Sequence, residues 1–508
     1  MEDSLKKRYL YKLGASIIGV PINLVTQAIV PRALGPGAYG NFSFLTNFFS
    51  RIISFFDSGT SSAFYTKLSQ RQQDSGLVRF YWGYAGIACS LVVLFVFGAM
   101  VLNVYRILWP GQQMKYVWMG LTWGMLQWMT QIINNVVDAH ALTVSGEIKR
   151  LQQKILGLSL ILTLFLVNML SLTLLFMYYY VTFIFLCIIW AQELKKHGIH
   201  IVPVAKLGLL NVKRYVREFY SYANPLVVYS FFGLLTGIAD RWMLQKFAGS
   251  VQQGFYGLSY QIGSISFLFA SAMTPLLLRE FSTAFAKQDF EEMRRLFQRY
   301  VPMLYSIVAL ISVFVAVQSK NVVFIMGGKK YEQASVALSI MAVYPIHQTY
   351  GQLSNSIYLA TGRTRLYRNL GTIIIMLGLA VNFFLVAPKS LFGMGLGATG
   401  LAIKMVTMQF FEVNLMLWFN VRFLRLSFWT LIWHQIYVLA LLFCLALSIS
   451  DLIERLASNI LVEFLIAGVL YAIGCVALMF VLPSMFSLSR TEFRGMLPDI
   501  AKRITEWW

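Results

Sequence analysis

The 508-residue sequence has few charged side chains, few acidic groups and few cysteines. Charged residues make up 12% of it, about half the share found in soluble domains. A soluble protein of this length needs more polar surface than that, which excludes a soluble enzyme and a disordered tail. Four cysteines without metal-ligand spacing exclude a secreted disulfide framework. We predict that all four are buried thiols within apolar spans, namely Cys89, Cys187, Cys444 and Cys475.

The chain also lacks the signatures of the common catalytic and metal sites. It contains no Walker motif, no HExxH, no GxSxG and no ligand-spaced cluster of cysteine and histidine. No loop is long enough to hold an ATPase or glycosyltransferase domain, and the longest predicted outer loop is about 319–334. We therefore expect no cofactor, no bound metal and no catalytic residue.

Long apolar segments dominate the chain, and hydrophobic residues make up 58% of it. Fourteen segments are long and apolar enough to cross a bilayer as helices. The sequence therefore predicts an all-α polytopic membrane protein, with a tight hairpin between the fifth and sixth spans. The predicted spans are 10–30, 42–64, 80–102, 116–138, 152–170, 172–191, 219–239, 254–277, 301–318, 335–358, 369–387, 395–418, 429–449 and 460–482.

Basic residues outnumber acidic ones by 42 to 21, which gives a formal net charge of +21. In a membrane protein, lysine and arginine collect in cytoplasmic loops and face anionic lipid, so we expect no nucleic-acid partner. Thirty of the 42 lie in alternate loops, including Lys149, Arg150 and Lys154. This bias predicts that those loops and both termini are cytoplasmic. The basic N-terminus continues into an apolar segment without a cleavage site, which predicts an uncleaved first helix.

Two of the predicted cytoplasmic segments have an apolar face at helical spacing. They are 211–222, between spans six and seven, and 289–300, before span nine. Such segments are typical of helices that lie in the membrane interface. The alternative is a solvated basic loop.

The sequence repeats weakly at an offset near 217. The tripeptide at 38–40 returns at 255–257, and Gly146 returns as Gly362 after a corresponding span. Six spans separate the copies, so both copies have the same orientation in the membrane. The repeat predicts two parallel six-helix bundles around a central cavity, followed by a C-terminal helix pair. The predicted parts are an N-terminal bundle at 1–191, an amphipathic linker at 192–218, a C-terminal bundle at 219–427, and the helix pair with a cytoplasmic tail at 428–508.

Polar side chains share one face of several predicted spans, as the 100° turn per helical residue shows. A lipid-facing helix gains nothing from such a face, whereas a helix beside a hydrated cavity does. The alternative is packing, since amide side chains often bond between membrane helices. Arg51 and Asp57 lie at opposite margins of their face, so we expect no direct ion pair between them. The candidate substrate-binding residues are Asn47, Arg51, Asp57, Trp128, Gln131, Asn135, Asp138, Tyr344, His347, Gln348, Asn355, Tyr358 and Lys404.

A second group of residues is predicted to take part in ion coupling or gating. Glu412 is an acid within span twelve, and Asp240 with Arg241 ends span seven, where the pair either gates or caps the helix. Pro21 and Pro225 interrupt comparable helices of the two halves and are predicted bending points.

The segment from Ile29 to Gly40, IVPRALGPGAYG, resembles the R-x-L-G-P-x-x-Y-G start of bacterial polysaccharide flippases. The Wzx-type O-antigen flippases are among them, within the multidrug/oligosaccharidyl-lipid/polysaccharide exporter superfamily. The resemblance covers the whole chain, including the fourteen spans, the six-plus-six repeat and the extra helix pair. It implies an inner-membrane transporter that moves undecaprenyl-pyrophosphate-linked oligosaccharide from the cytoplasmic to the periplasmic leaflet, with transient contact to polysaccharide polymerase machinery.

The chemistry of that substrate explains the polar faces. A pyrophosphate within the membrane needs a cation, and Arg51 and Lys404 are the candidates. Sugar rings stack on aromatic side chains, for which Trp128, Tyr344 and Tyr358 are the candidates. Two alternatives remain at this point: a cation-coupled multidrug exporter of the same superfamily, and a membrane polysaccharide polymerase or ligase.

Overall fold

A computed structural model describes residues 5–200, 208–456 and 459–487 of the chain. Within these ranges the secondary structure is entirely helical. Four short 3-10 helices occur at Ser264–Ser266, Lys329–Tyr331, Lys389–Leu391 and Pro483–Phe486. The α-helices are α1 (Leu5–Asp57), α2 (Thr60–Gln70), α3 (Ser75–Val101), α4 (Tyr105–Leu108), α5 (Met114–Ala139), α6 (Thr143–Leu166), α7 (Leu172–Lys196), α8 (Leu209–Gly263), α9 (Phe267–Ala286), α10 (Phe290–Val317), α11 (Ser319–Gly327), α12 (Ala334–Met341), α13 (Tyr344–Ala360), α14 (Thr364–Val386), α15 (Gly397–Leu424), α16 (Phe428–Glu454) and α17 (Ile460–Val481).

Seven of the described helices are long and apolar enough to cross a membrane. They are α3, α7, α10, α14, α15, α16 and α17. The chain is therefore a multi-pass membrane protein, and the full count of fourteen crossings stays a prediction of the sequence.

Helices α1 and α8 are too long for a single crossing. They contain 53 and 55 residues, and a straight helix of that length spans about 80 Å, against about 30 Å of hydrocarbon. Each is sharply kinked at one glycine with a positive φ, 72° at Gly35 and 79° at Gly249. Glycine adopts this conformation without a Cβ clash. The kinks divide each helix into two arms, and we call the parts of α1 before and after Gly35 its first and second arms.

The kinks lie at glycines although the sequence analysis placed bending points at Pro21 and Pro225. No non-helical dihedral interrupts α1 at Pro21 or α8 at Pro225, but an interior proline removes a helical hydrogen bond, so both residues stay predicted bending points. The Pro225 side chain lies outside the described residues. Gly35 and Gly249 are 214 residues apart, so the repeat is offset by 214 at this element, three fewer than the tripeptide match indicated.

The second predicted span, 42–64, ends earlier than expected. Helix α1 stops at Asp57, and Gly59 adopts a left-handed conformation with φ of 80° before α2 begins at Thr60. The expected hairpin between spans five and six is confirmed. Asn168 has a φ of 54° between α6 and α7, and the Ser171 side chain accepts a hydrogen bond from the Leu174 amide to begin α7.

Neither amphipathic segment forms a separate interfacial helix. The segment 211–222 belongs to α8, and Tyr215 and Phe219 pack against Phe80 of α3 with ring centroids 5.3 and 5.4 Å apart. The segment 289–300 begins α10, where Asp289 caps the helix by accepting a hydrogen bond from the Glu292 amide. The apolar faces of both segments therefore pack against neighbouring helices, whose side chains fill the contact more closely than lipid chains would.

The chain divides into two compact units, Met1–Gly254 and Phe255–Trp508. In the first unit, aromatic side chains of α2, α3, α5 and α7 form one core with Tyr215 and Phe219 of α8. In the second unit, α9, α10, α13, α15, α16 and α17 share a core, and Phe314 of α10 stacks on Tyr471 of α17 with centroids 5.3 Å apart. The predicted helix pair is thus anchored on α10, while the four-part domain division stays a prediction.

Candidate functional site

Arg51 is an exposed cation in the second arm of α1, 16 residues after Gly35 and six before the helix ends at Asp57. It has no hydrogen bond or ion pair with any described residue. Its side chain lies across Gly237 of α8, where an added Cβ would be 2.8 Å from Arg51 Nε and 3.2 Å from Cζ. The absence of a side chain at Gly237 therefore makes room for this guanidinium.

Asp57 is bonded within the protein and does not pair with Arg51, as the sequence analysis expected. Its carboxylate accepts hydrogen bonds from the Ser61 amide at 3.2 Å and the Tyr81 hydroxyl at 3.0 Å. These bonds cap the start of α2 and tie it to α3. These bonds give Asp57 a structural role at the break in the helix, and its contact with substrate stays a prediction.

The polar face of α5 is partly retained as an accessible surface. Gln131 is exposed and donates a hydrogen bond to Asn135 at 3.1 Å. Asn134 donates to Asp138 at 3.4 Å and accepts from Arg150 at 2.6 Å. These bonds form two groups near the end of α5, one of Gln131 with Asn135 and one of Asn134 with Asp138 and Arg150.

Two other polar candidates of the first unit are enclosed by protein. Trp128 is 3% exposed and contacts Tyr84 edge to face, with centroids 6.2 Å apart. In this conformation no ring face of Trp128 is open to a sugar. Asn47 is half-buried, and its carbonyl oxygen has no hydrogen-bond partner among the described residues.

Lys404 is the buried cation of the second unit. It is 4% exposed, and its Cε lies 3.1 Å from the place that a Cβ on Gly378 of α14 would occupy. It also interacts electrostatically with Glu412, two turns further along α15. A basic side chain over a glycine of a neighbouring helix therefore occurs in both units.

The candidates on α13 divide into accessible and enclosed side chains. Tyr344 is half-buried against Phe267 with centroids 5.7 Å apart, and Gln348 is half-buried beside Gly351. Asn355 is half-buried and donates to the Tyr367 hydroxyl at 3.3 Å.

His347 and Tyr358 are packed inside the second unit. His347 lies between Tyr305 and Phe410, with ring centroids 6.2 and 5.1 Å away. Tyr358 is fully buried and donates its hydroxyl to the Met416 carbonyl at 2.8 Å. Helical spacing placed them on the polar face of α13, but neighbouring helices cover that part of it, so neither offers a contact surface here.

Lys154 was counted with the cytoplasmic basic residues and was not among the predicted site residues, although it falls within the fifth predicted span, 152–170. Helix α6 begins at Thr143, and Lys154 lies at the midpoint of its 24 residues. An added Cβ at Gly19 of α1 would overlap the Lys154 ammonium and lie 3.3 Å from its Cε. This repeats the arrangement of Arg51 over Gly237. Lys149 and Arg150, which were counted in the same predicted loop, also lie within α6.

The gating candidates Asp240 and Arg241 are both buried beside the Gly249 kink. Arg241 donates to the Gln253 side chain at 3.0 Å, and Gln253 donates back to the Arg241 carbonyl at 2.6 Å. This reciprocal pair joins the segments before and after the kink and holds its angle. Burial raises the pKa of Tyr39, which lies within electrostatic range of Arg241.

A close crossing of α1 and α8 adjoins the two kinks, on the side of the predicted outer loops. A Cβ on Gly40 would overlap the Ser250 carbonyl oxygen, and a Cβ on Gly254 would overlap the Pro36 carbonyl oxygen. Gly40 and Pro36 correspond to Gly254 and Ser250 at the offset of 214. The crossing is thus symmetric, and we call these four residues the glycine crossing.

Ion pairs attach the start of α8 to the turn between α2 and α3. Arg71 donates to both carboxylate oxygens of Glu218, and Tyr215 donates to Asp74 at 2.6 Å. The hydrogen bond to Glu218 raises the pKa of Arg71, and burial raises the pKa of Tyr215. Arg214 lies 3.6 Å from Asp74 and completes the group. On the predicted cytoplasmic side, these bonds fix the linker to the first unit.

No group of three or more histidine, cysteine or acidic residues suited to a metal ion occurs among the described residues. All four cysteines are free. The expected burial is confirmed for Cys475 and partial for Cys89 and Cys187, but Cys444 is exposed. An apolar helix facing lipid does not need to bury its thiol, which explains the difference.

Two surface clefts lie away from the residues described above. One, of about 670 Å³ in the first unit, is lined by Gln72, His140, Glu193 and His197 among others. The other, of about 530 Å³ in the second unit, is lined by Lys320, Asn321, Lys329 and Glu332 among others. No candidate residue from the sequence analysis lines either cleft.

Solved structures with the same fold include transporters of the MOP superfamily. The chain resembles the lipid II flippase MurJ in an inward closed conformation, with a TM-score of 0.69, 14% identity, and coverage of 93% of this chain and 99% of that one. It resembles an inward-facing multidrug resistance MATE family transporter with a TM-score of 0.60, 11% identity, and coverage of 80% and 94%. A MOP superfamily transporter from Pyrococcus furiosus matches with a TM-score of 0.52, 10% identity, and coverage of 82% and 95%.

Sequence comparison gives the family directly. No curated protein matches the chain significantly. A family model described as "Polysaccharide biosynthesis protein" matches residues 5–277, which is more than half of the chain. It includes the Gly35 kink, Arg51 and the glycine crossing. This chain belongs to the polysaccharide biosynthesis protein family.

Proposed function

We propose that this protein is a flippase that carries undecaprenyl-pyrophosphate-linked oligosaccharide from the cytoplasmic to the periplasmic leaflet. The substrate is an O-antigen or related repeat unit, and the membrane is the bacterial inner membrane with both termini in the cytoplasm. The family and the shared fold support a transporter of this class. The observation that carries the proposal is Arg51, an accessible cation within the second predicted span that has no partner among the described residues.

A cation inside the membrane is costly unless an anion or water meets it. Arginine offers two parallel donors to a phosphate, and such bidentate charge-assisted bonds are among the strongest in proteins. The room above Gly237 leaves the Arg51 guanidinium unobstructed. An anionic head group that moves along the polar face of α1 would therefore meet Arg51 within the bilayer.

Transport proceeds by alternating access, in which the glycine crossing closes the predicted outer side while the head group enters from the cytoplasm. Gln131, Tyr344, Gln348 and Asn355 are accessible enough to bond sugar hydroxyls or stack on sugar rings. Trp128, His347 and Tyr358 support the helices that carry these contacts. The protein uses no catalytic residue and no cofactor in this scheme, and any contact with polysaccharide polymerase machinery is transient.

Complementation tests the proposal directly. Expression of the chain in flippase-null bacteria is expected to restore surface polysaccharide for at least one repeat unit, since only a flippase would deliver that lipid to the outer leaflet. Surface polysaccharide is measured by immunoblotting of whole cells. A panel of strains that make different repeat units identifies the preferred sugar. Failure with every repeat unit, at normal expression in the membrane, contradicts the proposal.

The rival function is cation-coupled export of drugs, which the similarity to a multidrug resistance transporter favours. Such a transporter would use acidic residues for organic cations, whereas Asp57 is engaged by its own donors and Glu412 lies near Lys404. Binding of cationic dyes to the purified protein distinguishes the two. Binding of dye, together with no binding of undecaprenyl pyrophosphate, would favour the drug exporter.

We expect the membrane potential to drive export. Two negative charges that move outward across 100 mV gain about 4–5 kcal/mol, at about 2.3 kcal/mol per charge. Flipping in proteoliposomes is therefore expected to slow when an ionophore collapses an imposed potential. Equal rates with and without the potential would instead point to ion coupling, with Glu412 and Asp138 as the first acids to test.

A further inference from the structure

The Lys154 ammonium meets α1 at Gly19, where it would overlap an added Cβ. Gly19 lies nine residues after the start of the first predicted span, 10–30, which is about 14 Å from the predicted cytoplasmic end of that span. The ammonium therefore stays within the membrane region, where a charge is costly unless something compensates it.

The neighbouring acid, Glu147, attracts Lys154 electrostatically but is bonded to another cation. Glu147 lies on the same helix, but its carboxylate accepts from Arg150 at 2.8 Å. Arg150 also donates to Asn134 at 2.6 Å and lies over the Trp190 ring. Lys154 has no hydrogen bond or ion pair with a described residue. Glu147 is therefore shared by two cations, Arg150 and Lys154, and the group carries one positive charge in excess.

Gly19 holds the ammonium at the edge of the polar face of α1. At 100° per residue, Gly19 shares this face with Asn23, which is exposed, and Gln27, which is half-buried. Gly19 and Arg51 each lie 16 residues from the Gly35 kink, about 24 Å along their respective arms. Two unpaired cations of the first unit are therefore at matched distances from one kink.

We propose that Lys154 is a second cationic contact for the phosphate-bearing head of the lipid substrate, held in place by Gly19. This inference rests on the proposed flippase function and adds a residue to it. A lysine presents a point charge with three rotatable donors, which suits a phosphate that moves past it. Arg51 and Lys154 then contact the anionic head from the second arm of α1 and from α6.

Binding of two lipids by the purified full chain tests this inference. The probes are undecaprenyl pyrophosphate and the neutral undecaprenol, measured by native mass spectrometry. Lys154→Ala is expected to weaken binding of the pyrophosphate about tenfold or more, the usual effect of losing a hydrogen bond to a charged group. Binding of undecaprenol should be unchanged, which also shows that the variant is folded. Lys154→Arg should retain most of the preference for the charged lipid.

Two further variants separate a direct contact from a general effect of charge. Gly19→Ala should weaken pyrophosphate binding because its Cβ takes the place of the ammonium, and it should add little in the Lys154→Ala background. Lys149→Ala removes the same charge from another face of α6 and should have no effect. If Arg51→Ala weakens binding but Lys154→Ala matches Lys149→Ala, this inference is overturned and the flippase proposal stands. If the wild type binds both lipids equally, both are overturned.

Discussion

Replacing Arg51 with alanine is expected to abolish polysaccharide display at the cell surface while the protein remains in the membrane. The substitution removes the guanidinium that lies over Gly237 without a partner among the described residues. Loss of two charge-assisted hydrogen bonds to the pyrophosphate costs about 3 kcal/mol or more, which is roughly a hundredfold in rate. Complementation of a flippase-null strain measures the effect.

Conservative and distant substitutions define what Arg51 contributes. Arg51→Lys keeps the charge and loses the bidentate geometry, so it should retain more activity than Arg51→Ala. Arg106→Ala removes an arginine whose described bond is to the adjacent Tyr105, and should leave display unchanged. Display by Arg51→Ala equal to that of the wild type, at matched expression, would remove this residue from the mechanism.

Alanine at either glycine of the glycine crossing is expected to cause both instability and loss of export. The new Cβ of Gly40→Ala would overlap a backbone carbonyl of Ser250, and that of Gly254→Ala would overlap Pro36. Backbone cannot move aside as a side chain does, so the cost is at the upper end of the 1–3 kcal/mol typical of overpacking, about 3 kcal/mol. Thermal unfolding of the purified protein should show a lower midpoint for both variants.

Gly37→Ala is the matched control, because its Cβ would meet only Val251, at 4.0 Å. It should unfold at the wild-type temperature and restore surface polysaccharide. If the crossing closes the predicted outer side during transport, Gly40→Ala and Gly254→Ala should fail to restore it. Wild-type unfolding and display by both variants would show that this close approach is not required.

Helical periodicity was sufficient to predict that Arg51 and Asp57 do not pair. It placed Arg51 on a polar face and separated it from Asp57, and the structure keeps them apart. Periodicity did not reveal that Asp57 caps α2, because the break at Gly59 depends on donors from Ser61 and from Tyr81 of another helix. The spacing of residues along one helix predicts the direction of each side chain, but it does not predict the partners that other helices supply.

The sequence by itself determined the membrane class, the all-helical fold, the family motif and the polar faces, since these depend on composition and on the fixed turn of a helix. The tertiary structure alone decided that Lys154 lies over Gly19 of α1, that the sharp kinks are at Gly35 and Gly249, and that Trp128 and Tyr358 are enclosed. These features depend on which neighbouring helix covers each face, and that information is distributed over residues far apart in the chain.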